Sequence, residues 1–317
     1  MKVRMLNIFD IFLLKEFLAE NVTNKTKTEF LKTGIFGNGN LWGVFGQNRT
    51  LSGILKTHHQ IGNKKRLFID ETIYSDDEAG VFLVQFIIKY YAKKGVNNFA
   101  VYVHAEDDMR RILFSKKCGF RFCSGYAIYK IRGEEFEKTP PCEFERFRAR
   151  DAKEVCELYN EGLSVYFRAP LQKTKDEFCD TIFTGTTRDR YVLKSENGNI
   201  YGYFEIKYNE KATVARVILN SPYEYMYKSV ISAISGIIKE KNINADLFVN
   251  HKKYMTSSEF FEEILRNAKS EKISDKWLFI KDFYRPSRAK VSLTEIFSDL
   301  TSPAPAYMQI SGLQKGN

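Results

Sequence analysis

The sequence predicts an α/β (α+β) protein of two similar domains in tandem, each a mixed, mostly antiparallel sheet flanked by helices. Two observations predict it. Strands and amphipathic helices follow one another in the same order twice. Laying the second half on the first at an offset of 147 also sets Ile87 on Ile234, Tyr90 on Ile237, Tyr91 on Ile238 and His104 on His251, with no gap. The 317 residues agree, being about two domains at roughly 150 residues each. Stacked solenoid repeats are excluded, because their units run only about 20 to 50 residues.

In the first half the periodicity predicts an amphipathic helix over Ile8 to Ala19 and strands at Leu41 to Phe45 and Gly53 to Thr57, joined through Gly46-Gln47-Asn48 as a hairpin. A strand at Arg66 to Tyr74 follows, then a polar loop at Ser75 to Ala79 and a strongly apolar helix at Gly80 to Lys94. After Gly95 come a strand at Phe99 to Val103, a helix at Asp107 to Lys117 and a final strand at Tyr126 to Ile131. The second half repeats the order: helices at Asp151 to Gly162 and Lys175 to Phe183, then strands at Arg190 to Lys194, Ile200 to Lys207 and Thr213 to Leu219. A helix at Tyr225 to Lys239, a strand at Asp246 to Val249, a helix at Ser258 to Asn267 and a closing strand at Lys276 to Ile280 complete it. Thr139-Pro140-Pro141 cannot continue a helix or a central strand, so residues 1–138 and 139–289 are read as the two domains, with 290–317 a tail.

Composition narrows the class. With 44% hydrophobic and 28% charged residues, the chain is too apolar for disorder. Residues 1–138 carry 22 basic and 15 acidic groups, against 27 and 24 in the rest, so the first half is the more basic, a balance that suits acidic ligands. Five cysteines without a C-x-x-C pair exclude a disulfide framework and a zinc or redox motif, and point to a reducing, cytoplasmic setting. Asp10, Lys15 and Glu16 break the only early apolar run, so no secretion signal and no membrane span is expected.

Chemistry concentrates around one strand. Asp70 and Glu71 sit side by side in Leu67-Phe68-Ile69-Asp70-Glu71-Thr72-Ile73, where an unpaired buried carboxylate is costly. Period-2 alternation sends them to opposite faces, so one of them can face a cleft as base or substrate holder. His58 and His59 are alternative bases, read as lying on a surface turn at the end of the hairpin strand.

The doubled order of elements, with Cys118-Gly119-Phe120 after Asp108-Met109-Arg110-Arg111 and Gly80 after Ser75-Asp76-Asp77-Glu78-Ala79, resembles the GNAT superfamily of N-acyltransferases. That family has a loop of pattern Q/R-x-x-G-x-G/A opening a helix, and a later helix of pattern N-x-x-A-x-x-x-Y-x-x-x-G-F. Only the terminal Gly-Phe of the later motif and the last glycine of the loop survive here. The second half departs further, with Pro222, Tyr225 and Tyr227 at the loop's marked positions. The resemblance implies an acyl-CoA-dependent N-acetyltransferase acting on an amine of a small molecule or peptide, with acetyl-CoA as donor and no metal. It implies catalytic roles for Asp70, Glu71 and Ser115, the last standing where the family has an acid tyrosine. It assigns cofactor contacts to Ile73, Tyr74, Ser75, Glu78, Ala79, Gly80, Asp108 and Arg111. Asp76, Asp77 and Glu78 set negative charge where a diphosphate would bind. An aminoacyl-tRNA-dependent transferase of the same fold, the one reading that admits nucleic acid, and a non-catalytic binding module are the alternatives. The loop at Ser164 to Pro170 would shape the acceptor site, with Arg168 able to pair with a substrate carboxylate.

Overall fold

A computed structural model describes residues 1–21, 39–46, 50–132, 136, 138–179, 188–208, 212–243 and 245–283. The first half contains β1 (Lys2–Met5), α1 (Ile11–Asn21), β2 (Asn40–Phe45), β3 (Leu51–Gln60), β4 (Asn63–Tyr74), α2 (Asp77–Lys93), β5 (Asn98–His104), α3 (Asp108–Ile112) and β6 (Arg121–Lys130). The second contains β7 (Glu145–Arg146), α4 (Ala152–Glu161), α5 (Val165–Leu171), β8 (Arg188–Lys194), β9 (Ile200–Tyr208), β10 (Ala212–Leu219), α6 (Tyr227–Glu240), β11 (Asp246–Lys252), α7 (Ser258–Asn267) and β12 (Glu271–Asp282). The expected tail, its helix candidate at residues 293–300, the Gly46-Gln47-Asn48 turn beyond Gly46, most of the Gly133–Lys138 linker and the end of the predicted helix at 175–183 lie outside the described residues.

All twelve strands join one sheet in the order β1-β2-β3-β4-β5-β12-β6-β11-β10-β9-β8-β7. The alternating pattern dictates the layers. Leu67 and Ile69 of β4 and Phe99, Val101 and Val103 of β5 turn their side chains to Leu83, Val84 and Ile87 of α2, all essentially without solvent contact. On the opposite face Phe68, Ala100 and Tyr102 pack with Val155, Leu158 and Tyr159 of α4, an element of the second half.

The closing strands are exchanged. By chain order β6 would close the first half and β12 the second. Instead β12 pairs with β5 from Lys276↔His104 to Asp282↔Asn98, and β6 pairs with β11 from Phe248↔Lys130 to Lys252↔Tyr126. β12 and β6 then pair with each other at the centre. β12 fits there because both of its faces are apolar: Leu278 and Ile280 join the cluster under α4, while Trp277 and Phe279 join the one under α2. Gly125 lets the two central strands meet, since a Cβ there would lie 2.2 Å from the Lys276 carbonyl oxygen.

A second fastening comes from Arg66, buried at the start of β4. Its Nη1 donates to Gln60 Oε1 at 2.6 Å and Gln172 O at 3.0 Å, its Nη2 to Ala169 O at 3.0 Å, and its Nε to Asn98 Oδ1 at 3.0 Å. The guanidinium thus satisfies carbonyls at the end of α5, where a helix lacks its own donors and favours a cation. α5 itself corrects the reading of residues 164–170 as a loop. Pro170 is accommodated in its last turn, and Arg168 donates to Leu163 O at 3.3 Å, within its own segment.

Two outcomes follow. Gly125→Ala should lower stability by about 3 kcal/mol or more, as expected for a Cβ forced onto backbone, read as a fall in the urea midpoint. The second concerns His251, 1% exposed, whose Nε2–H donates to Ser258 O at 2.9 Å while Nδ1 is buried without a partner among the described residues. Burial holds its pKa below the ordinary 6.5. Unfolding therefore takes up a proton below that value, so this site's contribution is complete above about pH 6.5 and is lost as pH falls through it. His251→Gln should flatten the dependence of unfolding free energy on pH between about 7 and 5.

Candidate active site

β4 and β5 run parallel only from Arg66↔Asn98 to Ile69↔Val101. Beyond that point β4 stays with β3 as far as Tyr74 and β5 stays with β12 as far as His104, so the two part and leave a fork. A bulge sits at its mouth: Lys56 opposes Glu71 and Thr57 opposes Ile69, which makes Asp70 the extra residue. Strict alternation does not hold across a bulge, so the reasoning that sent Asp70 and Glu71 to opposite faces lapses here. Asp70 Oδ2 lies 2.8 Å from His58 Nδ1, and Glu71 Oε2 accepts from Arg110 Nη1 at 3.2 Å. Arg110 also pairs with Asp107. Each carboxylate of this charged strand thus has a partner and contact with solvent, which removes the cost of burial.

His58 is not on a turn but inside β3, opposite Phe68. A carboxylate only accepts, so Nδ1 carries the proton toward Asp70 and Nε2 presents its lone pair. The ring stacks on Phe68 at 5.3 Å between centroids. Phe68 stacks in turn on Tyr102 at 6.4 Å, and Tyr102 meets Tyr126 edge-on at 5.1 Å. The orientation of His58 is therefore set twice, by an anion and by an aromatic row.

The helix that follows the fork starts at Asp77, earlier than predicted, because Asp76 caps it. Asp76 has extended backbone and its Oδ1 accepts from Ala79 N at 2.8 Å. Ser75 Oγ lies 2.8 Å from Asp76 Oδ2 and 3.0 Å from Ser52 O. The Ala79 amide, then the Ser75 hydroxyl, hold the Asp76 carboxyl below its usual range. Gly80 N bonds to Asp76 O at 3.1 Å, and a Cβ on Gly80 would sit 3.0 Å from the Tyr74 ring. That glycine admits Tyr74, whose hydroxyl is buried with no partner among the described residues; burial, then Asp77, pushes its pKa up. Asp77 pairs with Lys117. A side-chain carboxylate thus occupies the helix start where a coenzyme diphosphate would lie, with Asp77 and Glu78 beside it, and the residues present do not fit that group.

The remaining expected contacts scatter. Ile73 packs against the apolar cluster of Leu14, Leu18 and Ile54. Ala79 is wholly buried and Glu78 is exposed. Ser115 Oγ donates to Arg111 O at 2.6 Å within a π-helical turn, Leu113–Lys117. Arg111 pairs with Asp108 and lies 4.7 Å over the Trp277 ring. In the second half Tyr227 is buried, its hydroxyl 2.8 Å from Ser257 Oγ, and Tyr201 stacks on Tyr223 at 4.2 Å. Among the described residues no group of three or more His, Cys, Asp or Glu side chains could hold a metal ion, and no helix is long and apolar enough to cross a membrane.

No protein-family model matches the chain, and no curated protein matches its sequence. Solved structures do match its fold. A tandem GNAT protein from the clavulanic acid biosynthesis pathway superposes with a TM-score of 0.61 at 9% identity, covering 89% of this chain and 98% of that one. A GCN5-related N-acetyltransferase from Sphaerobacter thermophilus gives 0.58 at 13%, covering 89% and 95%. One from Kribbella flavida gives 0.51 at 10%, covering 89% and 72%. At such identities the likeness establishes the architecture, a tandem GNAT fold.

Asp76→Ala should cost about 1 kcal/mol, the usual value of a helix N-cap, measured by urea denaturation. Asp76→Asn, which keeps an accepting oxygen, should restore most of it.

Proposed function

We propose that this chain is an N-acyltransferase that works at the β4/β5 fork on the amine of a small molecule or peptide. The observation that carries the proposal is the Asp70–His58 pair at the mouth of the fork, on a fold whose solved neighbours include N-acetyltransferases. The parted strands offer main-chain edges to an extended ligand. Attack by an amine forms a C–N bond at the acyl carbonyl while the bond to the donor's sulfur or oxygen breaks; His58 Nε2 is the group presented to take the amine proton, which the departing thiolate or alkoxide then needs. Asp70 positions the ring and stabilises the imidazolium that forms. The aromatic row from Phe68 to Tyr126 gives the same face an apolar floor.

The capped helix start favours a second reading, in which the donor carries no diphosphate at that point, as an aminoacyl-tRNA would not. A non-catalytic binding protein would bind without turnover.

Calorimetric titration with acetyl-CoA, followed by a thiol-release assay across a panel of amines, separates these readings. The proposal expects acyl transfer from a donor whose diphosphate is not seated at the capped helix start, falling by about 10²- to 10⁴-fold in His58→Ala, the usual contribution of a general base, with donor affinity unchanged. Absence of binding at millimolar acetyl-CoA, together with tRNA binding that weakens steeply with salt, would favour the second reading. Binding without transfer would leave the non-catalytic one.

A further inference from the structure

The second half has its own fork, and it is furnished differently. β10 and β11 run parallel from Ala212↔Asp246 to Arg216↔Asn250 and then part. At this point stands Arg216, opposite Glu205 of β9. Arg216 lies deep in the protein, surrounded by the charged or phenolic groups of Glu205, Tyr254, Tyr203 and Tyr159, yet keeps partial solvent accessibility. Its Nε is buried without a partner, as is Asn250 Oδ1 beside it, and no described residue forms an ion pair with its guanidinium. Two positions along β11, Lys252 is 8% exposed. Its ammonium has no carboxylate within ion-pair distance among the described residues and rests 4.3 Å over the Tyr159 ring and 5.9 Å from that of Tyr254.

The acids nearby are already engaged. Glu205 holds Lys207 at 3.4 Å, Arg188 at 3.6 Å and the Tyr203 hydroxyl at 3.2 Å. Glu177 holds Lys173 at 2.7 Å. Glu205 and the surrounding phenols offset the burial of Arg216, but that carboxylate is shared with Lys207 and Arg188, and burial, then the charge of Arg216, hold the Lys252 pKa well below its ordinary range. Burying an unpaired charge is strongly unfavourable, and a guanidinium cannot shed its proton to escape the cost. Phenols line the same space: Tyr159 and Tyr254, with Tyr102 and Tyr126 of the first half near enough to sense the charge of Arg216.

We propose that the β10/β11 fork is a binding site for a compact oxyanion, a carboxylate or phosphate, held by Arg216 and Lys252 with tyrosine hydroxyls as further donors. Arg216 offers the planar pair of donors that such groups accept, and Lys252 supplies the second charge. This site is separate from the His58–Asp70 pair and does not depend on the activity proposed for it.

The test is calorimetric titration of the intact chain with inorganic phosphate and with succinate, in a low-salt buffer free of other multivalent anions. Arg216→Met and Lys252→Met are titrated alongside. Binding of either probe is expected, with Kd at least ten-fold weaker in each variant; which probe binds distinguishes a phosphate from a dicarboxylate. Without ligand, Lys252→Met should melt no lower than the parent, because it removes a buried amine whose charged form is disfavoured by burial and by Arg216. Absence of binding of both probes to the parent chain, or binding that both variants keep, would overturn the proposal, and because the parent is titrated directly, a variant that fails to fold does not obscure the result.

Discussion

The exchange of β6 and β12 is the constraint on which the rest of the structure depends. Each half ends on a strand whose main-chain hydrogen bonds go to the other half's sheet, so residues 1–283 form one compact unit. A strand inserted at the centre of a sheet must be apolar on both faces, and β12 meets that demand with Trp277 and Phe279 on one side and Leu278 and Ile280 on the other. The exchange also fixes the faces of both forks. β5, which bounds the first fork, is held on its other side by β12, and β11, which bounds the second, is held by β6. Each fork opens because its two strands are committed to different neighbours.

The interior carries charge unevenly. At the centre Arg66 makes four hydrogen bonds, to main-chain carbonyls of the second half and amide side chains of the first. At the first fork the carboxylates Asp70 and Glu71 meet His58 and Arg110 while keeping contact with solvent. A partly exposed pair of this kind contributes little stability, which leaves geometry as its main effect. The pair fixes which nitrogen of His58 faces outward. At the second fork neither Arg216 nor Lys252 has a carboxylate within ion-pair distance among the described residues, and Glu205, which stands opposite Arg216, is engaged by Lys207 and Arg188.

Most of the fold was legible because hydrophobic periodicity marks each strand and helix directly, and the offset of 147 exposed the repeated order of elements. Pairing partners were not legible. Periodicity tells which side of a strand is apolar, but nothing local in Lys276 to Ile280 says which sheet it completes. The site was read in part. Asp70 stood out as a carboxylate in a strand, and the bulge that frees it lies in the register between β3 and β4, which one sequence does not reveal. His58 was misplaced for the opposite reason: a short strand ending at Thr57 was read where β3 runs on to Gln60. Neither Arg216 nor Lys252 belongs to a glycine loop or to an acid pair, the patterns on which the expected site rests. The available signal was Arg216 inside the apolar run Thr213-Val214-Ala215-Arg216-Val217-Ile218-Leu219; Lys252 follows the polar pair Asn250-His251 and carries no such mark.

The helix starts of the two halves complete the contrast. A helix N-terminus has unpaired amides and attracts an anion. In the first half that anion is built in, since Asp76 supplies its own carboxylate to the Ala79 amide and Tyr74 closes over Gly80. In the second half a 3-10 helix of two turns, Ser221–Met226, leads into α6 with no side-chain cap, and the basic residues Arg216 and Lys252 lie deeper. The first half thus meets its helix start with a carboxylate of its own, while the second leaves its helix start without a side-chain cap and sets Arg216 and Lys252 on the strands of the fork behind it.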